Sequence, residues 1–189
     1  MKVAIVVSLN DLAGLNIKKH MISEQGFFKT EKKFKNENIY SLNENVDLYT
    51  TNIGSIHSEN IDNEIKADIF IFATRHRSES GIPSLSVHSP GNWTFAEHGG
   101  EDRKLCLAPS NILKKALQII EKNKISGFDI IQECTHHGPY IQKPIMFIEI
   151  GSSEKEWERD DAGEVMAKNI IEILYSLKVF VSQQAAKEV

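Results

Sequence analysis

The sequence predicts an α/β fold: a mostly parallel or mixed sheet with helices on both faces. Three observations predict it. Strand-length apolar runs alternate with helix-length amphipathic ones along the 189 residues. The strands "KVAIVVS", "DIFIFAT" and "PIMFIEI" are apolar almost without a break, as strands covered on both faces are. Three polar segments, "RHRSES", "THHGPY" and "GSSE", each leave the end of an apolar run. In open α/β sheets ligands bind beyond the carboxyl ends of strands. If those strands are parallel neighbours, the three polar loops converge on one edge.

The elements follow in order. "KVAIVVS" (2–8) reads as a first strand and not a signal peptide, because no cleavage pattern follows it. "DLAGLNIKKHMISEQG" (11–26) is a helix with Asn10 or Asp11 as cap and Gly26 as its stop. "NIYSL" (38–42) and "VDLYTT" (46–51) are short strands, and "SENIDNEIKA" (58–67) forms a short helix. "DIFIFAT" (68–74) is a buried strand and "SLSVH" (84–88) a short one. "SNILKKALQIIEKN" (110–123) places Ile112, Leu113, Ala116, Leu117, Ile119 and Ile120 on one helical stripe behind the cap residue Ser110. "FDIIQEC" (128–134) and "PIMFIEI" (144–150) read as buried strands, which makes Cys134 a small core residue. Ser153 and Glu156 have capping-box spacing, and "DAGEVMAKNIIEILYSL" (161–177) is the last helix. The whole, 1–189, is expected to be one α/β domain.

Composition narrows the function. Hydrophobic residues make up 41% and charged residues 25%. No apolar run reaches eighteen residues, so no membrane span is expected. Cys106 and Cys134 make no disulfide framework, which fits a reducing cytoplasm. The net charge of −4 argues against a generic nucleic-acid binder. Residues 1–35, however, carry seven lysines against three acids. That block, with Lys18, Lys19, Lys32, Lys33 and Lys35, is either a solvated face or a local polyanion surface.

Five of the seven histidines fall between positions 76 and 137. Imidazole is both the commonest metal ligand and the usual base near neutral pH. A catalytic zinc takes three protein ligands and keeps one open position. His76, His136 and His137, with Glu79 or Glu149 near by, offer such a set. Arg75 and Arg77 flank His76. Their forks suit phosphate or carboxylate oxygens, or else pair with Glu79, Glu97 or Asp102 in a structural network. Asn92 or Trp93 lines a pocket, the other reading of Trp93 being core packing. No phosphate loop, no GxGxxG and no nucleophile elbow occurs.

The segments "TRHRSESGIPSLSVHSPGNW", "LAPSNILKKAL" and "THHGPYIQKPIMFIEIGSSEKEW" occur in this order. They resemble the archaeal and plant type of D-aminoacyl-tRNA deacylase, and the resemblance runs from about Lys2 to the last helix. It implies a zinc-dependent hydrolase that cleaves the ester of D-aminoacyl-tRNA. It also implies a fold like those of peptidyl-tRNA hydrolases and nucleoside phosphorylases. The expected catalytic residues are Glu79, His88 and Glu149, and the expected zinc ligands are His76, His136 and His137. Arg75, Arg77, Ser78, Asn92, Ser152 and Ser153 are expected to bind substrate. The five lysines are expected to bind tRNA, and no membrane or obligate protein partner is expected. The rival readings are another zinc hydrolase or phosphorylase on a nucleoside-like substrate, and a tRNA-binding remnant without activity. Family members continue past the last helix with another strand and a Gly-Gly-x-His-Tyr-type segment. This sequence ends "SLKVFVSQQAAKEV" with neither, as a shortened member would.

Overall fold

A computed structural model describes residues 1–177. The terminal "KVFVSQQAAKEV" (178–189), on which the expected shortening rests, lies outside the described residues. The strands are β1 (Val3–Ser8), β2 (Phe28–Phe34), β3 (Glu37–Asn43), β4 (Val46–Thr51), β5 (Ile69–Arg75), β6 (Ser84–His88), β7 (Asp129–Gln132) and β8 (Ile145–Gly151). The helices are α1 (Leu12–Ser23), α2 (Ile61–Glu64), α3 (Ser110–Lys122), α4 (Glu154–Trp157) and α5 (Asp160–Ser176), with a short 3-10 turn at Ser55–His57. These eight strands of the described residues form one sheet, ordered β2-β3-β4-β1-β5-β8-β6-β7.

The centre of the sheet, β4-β1-β5-β8, is parallel. Its two flanks are not. β3 runs antiparallel to β4, and β6 antiparallel to β8. Because β7 is parallel to β6, β7 runs against β5 and β8. The expectation that β5, β7 and β8 end on one side is therefore wrong. β7 is also an edge strand, half exposed rather than buried.

Side chains alternate across each strand. One face of the sheet carries Ile71, Ala73, Leu85, Val87, Met146, Ile148 and Ile150, packed with the buried sides of α1, α3 and α5. Burying an aliphatic side chain of this kind contributes roughly 1.5–3 kcal/mol. Trp157 of α4 joins the same core. The first helix can lie close because Gly14 has no side chain: a Cβ there would sit 2.6 Å from the Ala73 carbonyl oxygen. Its cap is Asp11, whose Oδ1 accepts from the Gly14 amide at 2.9 Å. The helix at 110–123 begins one residue earlier than its sequence suggests, with Pro109 in the cap position.

The opposite face is covered differently. A smaller core of Ala4, Val6, Phe70, Phe72, Ile145 and Phe147 packs under Ile61, Ile65 and Ile141. Among the described residues, only the 3-10 turn and the one-turn α2 supply helix there. The expected mixed sheet with helices on both faces is thus present, with the long helices on one face and one-turn helices among loops on the other.

Candidate active site

The site lies on the loop-covered face, and strand register builds its floor. Thr74, Glu149 and Ser86 are cross-strand partners on β5, β8 and β6. Phe72, Phe147 and His88 form the adjacent row. Glu133 extends the ladder just past β7, its amide donating to the Val87 carbonyl at 3.1 Å. These residues share the face by the period of two. The loop after β7 reaches this face although its strand points away from the ends of β5 and β8.

That loop carries His136 and His137. Their backbone carbonyls both accept from the Gly91 amide, at 3.2 and 2.8 Å. Gly138 then crosses Gly100 backbone against backbone, where a Cβ would collide with the Gly100 amide. Glu59 holds the crossing: Oε1 accepts from the Gly100 amide at 2.6 Å and Oε2 from the Tyr140 amide at 2.7 Å. His137 adopts φ +41°. A left-handed conformation costs a side-chain-bearing residue roughly 1–2 kcal/mol, so its surroundings must impose it.

Two groups of three meet on this floor. His88, His136 and His137 form one, and His76, Glu133 and Glu149 the other; the ligand-type atoms of each lie within 4.8 Å of one another. The His88 ring stacks on His136 at 4.6 Å and meets His137 edge-on at 4.9 Å, with Phe147 beneath at 5.2 Å. His136 Nδ1 donates to the Cys134 carbonyl at 2.8 Å and His137 Nδ1 to the Gly138 carbonyl at 2.6 Å. A carbonyl only accepts, so both protons sit on Nδ1 and both Nε2 atoms present lone pairs. The groups adjoin through Glu149 Oε2, 3.8 Å from His88 Nε2, and Glu133 Oε2, 3.8 Å from His136 Nε2. His76 Nδ1 spans the two carboxylates, 3.0 Å from Glu133 and 3.6 Å from Glu149.

The charges follow from these contacts. The hydrogen bond to Glu133, aided by Glu149, pushes His76 up to about 10. Burial works against ionisation of Glu133, but the His76 contact and neighbouring imidazoles outweigh it and bring the carboxyl down to about 2. Burial and the imidazoles of His88 and His136 lower His137 to about 3, so its ring is neutral at ordinary pH. Burial also disfavours charge on His88, yet the Glu149 contact prevails and raises it. Both His88 ring nitrogens and Glu133 Oε1 are buried without a hydrogen-bond partner. Buried polar atoms are nearly always paired, so these orphans point to a species that binds among them. Two Nε2 lone pairs, on His136 and His137, beside a third imidazole, His88, suit zinc.

A cleft of about 770 Å³ opens above the floor. Asp11, Arg75, Arg77, Asn92, Trp93 and Phe95 are among the residues that line it. The Arg75 and Arg77 guanidiniums lie over the Trp157 ring at 5.1 and 5.4 Å. Trp157 Nε1 donates to the His76 carbonyl at 3.0 Å, so this buried indole holds the whole "RHR" segment.

A family model for D-aminoacyl-tRNA deacylase matches residues 63–187. The chain belongs to that family. It is 39% identical to the D-aminoacyl-tRNA deacylase of Pyrococcus abyssi (strain GE5 / Orsay), over 87% of this chain and 62% of that protein. It is 38% identical to the Thermococcus onnurineus (strain NA1) deacylase, over 90% of this chain and 65% of that one. The chain therefore spans less than two thirds of the length of these relatives. A crystal structure of a conserved protein of unknown function superposes with a TM-score of 0.84 at 28% identity, over 96% of this chain and 64% of that one. A 5'-methylthioadenosine/S-adenosylhomocysteine nucleosidase from Neisseria meningitidis shares the fold at a TM-score of 0.53 and 13% identity, over 93% of this chain and 100% of that one. The expected likeness to nucleoside-processing folds is thus present.

The structure gathers most of the residues singled out in the family motifs, in a different grouping. His136 and His137 meet His88, while His76 faces Glu133 and Glu149. Arg75 and Arg77 face the cleft stacked on Trp157, rather than paired with Glu79, Glu97 or Asp102. Asn92 lines the cleft, its amide tied to the Gly99 and Glu101 carbonyls at 2.9 and 3.4 Å. Glu79 is exposed and away from the cluster, and Ser78 bonds Ser80 at 2.9 Å. Ser152 donates to the Ile82 carbonyl and Ser153 to Glu156 Oε2 at 2.6 Å, so both hydroxyls serve the local structure. Lys18 bonds Thr50, Lys19 pairs with Asp160 and Lys35 with Glu64, while Lys32 and Lys33 project from edge strand β2. Cys134 is exposed rather than in the core, because β7 is an edge. Sequence reasoning missed Glu133; its signal was an acid two residues past the apolar pair "II", in step with the strand period.

Proposed function

We propose that the chain hydrolyses the ester of D-aminoacyl-tRNA, releasing the D-amino acid and tRNA, within one cytoplasmic α/β domain. The observation that carries this reading is the pair of abutting groups, three imidazoles and an imidazole with two carboxylates, on the floor of a cleft in a chain of this family. His88, His136 and His137 would hold zinc, in place of the set His76, His136 and His137 expected from sequence. Zinc bound there supplies a Lewis acid and brings the pKa of water to roughly 7. Glu149, buried beside His88, would take the proton of an attacking water. Protonated His76, between Glu133 and Glu149, would offset one of their two negative charges. Arg77, and the donors of Arg75 other than the Nη1 that bonds the Asn10 carbonyl at 3.1 Å, would meet the phosphate next to the scissile ester. Lys32 and Lys33, with Lys18, Lys19 and Lys35, would meet the tRNA body, each phosphate contact adding about 0.9 to the log–log salt slope.

The test uses one preparation of the chain for metal analysis and for turnover of matched D- and L-aminoacyl-tRNA. Bound zinc, release of the D-amino acid only, and loss of both on chelation with recovery on adding zinc are expected. Full turnover in zinc-free protein, or no turnover in zinc-loaded protein, would overturn the proposal.

A further inference from the structure

We propose that Trp93, with Phe95, is a stacking platform for the base of the substrate's 3'-terminal nucleotide. The inference rests on the deacylase reading and adds to it the residue that holds the substrate's constant half.

Trp93 and Phe95 are each 68% exposed, the largest exposure of any large hydrophobic side chain in the described residues. Both line the cleft. A large aromatic held in water beside a catalytic floor marks a contact surface, and the frame beneath it shows that it is built. Trp93 Nε1 donates to the Thr135 carbonyl at 3.1 Å, one residue before His136. Behind it, Asn92 is buried, and its backbone N–H donates to the Lys104 carbonyl at 2.8 Å. Ahead of it, the Arg103 amide donates to the Thr94 carbonyl at 2.8 Å. The indole is therefore anchored on both sides and tethered at its one polar atom. The contrast with Trp157, fully buried and engaged with Arg75, Arg77 and His76, is plain.

Chemistry selects the occupant. Aromatic side chains hold single-stranded nucleotides by stacking, which every base accepts. The same cleft is also lined by Arg75 and Arg77, whose guanidiniums suit a phosphate attached to that base. An acyl group has a variable side chain, whereas the terminal nucleoside is constant, so binding energy taken from the base serves every substrate equally. The cleft volume of about 770 Å³ admits a nucleoside together with a small acyl group.

Two measurements on the zinc-loaded full chain test the platform. The first compares kcat/KM for the D-alanyl ester of adenosine with that for the D-alanyl ester of a base-free ribose analogue. Trp93→Ala should lower the preference for the adenosine ester by roughly 5- to 150-fold, the equivalent of about 1–3 kcal/mol of stacking. Trp93→Phe should keep most of it. Equal loss on both esters would assign Trp93 a structural role, and a loss seen with D-tyrosyl-adenosine, assayed alongside, but not with D-alanyl-adenosine would assign the ring to the acyl side chain; either overturns the proposal. The second follows tryptophan fluorescence during titration with adenosine 5'-monophosphate. Quenching in the native chain that disappears in Trp93→Phe supports the platform. Quenching that persists in that variant, or none in the native chain, overturns it. Hydrolysis without quenching would leave the deacylase reading standing and remove the platform. Trp93-dependent quenching without hydrolysis would do the reverse.

Discussion

The two faces of the sheet are made from the same strands and do opposite work. On β8, Met146, Ile148 and Ile150 point into the helix-covered core, while Phe147 and Glu149 point under the loops. On β6, Leu85 and Val87 take the first side and Ser84, Ser86 and His88 the second. The helix face satisfies itself, apolar against apolar. The loop face leaves His88, Glu133, Ser84 and Ser86 with buried polar atoms that lack hydrogen-bond partners. The difference teaches that one strand can give stability and chemistry at alternate residues. A substitution's consequence then depends on parity, not on depth.

The sharpest way to break this division is at the histidine pair. Replacing His136 and His137 together by Ala should abolish bound zinc and lower turnover by at least about 10⁴-fold, taking each ligand as worth the upper end of a supporting residue's 10–100-fold. Metal analysis showing full zinc content in that double variant would remove the chemistry assigned to the loop face. Next in size is the neighbouring pair Phe147 and Ile148. Urea unfolding should show losses of about 3–5 kcal/mol for Phe147→Ala and about 2–5 kcal/mol for Ile148→Ala. At equal folded fraction only Phe147→Ala should weaken zinc binding, because only Phe147 underlies His88 and His137. Equal effects on zinc would erase the distinction. Glu133→Gln should cost about 10–100-fold in turnover or zinc affinity, as supporting carboxylates do; steady-state kinetics with unchanged constants would detach Glu133 from the site. Smallest is Glu79→Gln. An exposed side chain outside the cluster should change turnover by less than about twofold. A larger loss in the same assay would return Glu79 to the catalytic role its sequence position suggested.

Local chemistry was legible in the sequence and long-range geometry was not. The Asp11 cap is written in a few adjacent residues, and it forms. The alternation "SLSVH" already separates Leu85 and Val87 from Ser84, Ser86 and His88. An apolar run, however, carries no arrow. "SLSVH" and "FDIIQEC" would look the same running either way, so the antiparallel β6–β8 pairing was invisible. The histidine cluster was evident from spacing, but which rings meet is set by register between strands 60 residues apart. Glu133 was hidden because β7 was read as buried. β2, "FKTEKKF", was passed over because a charged edge strand, held by its hairpin to β3, resembles a loop.

The Glu59 carboxylate has a kinetic meaning as well as a geometric one. It clasps two amides 40 positions apart, at Gly100 and Tyr140. Neither strap over the floor can lift without releasing a bond to the same charged group. The two should open as one cooperative unit, so their amide protons should exchange with deuterium at one shared free energy, below that of the strands beneath. In Glu59→Gln the two protection factors should fall and separate. The cover of the site would then have become two independent flaps.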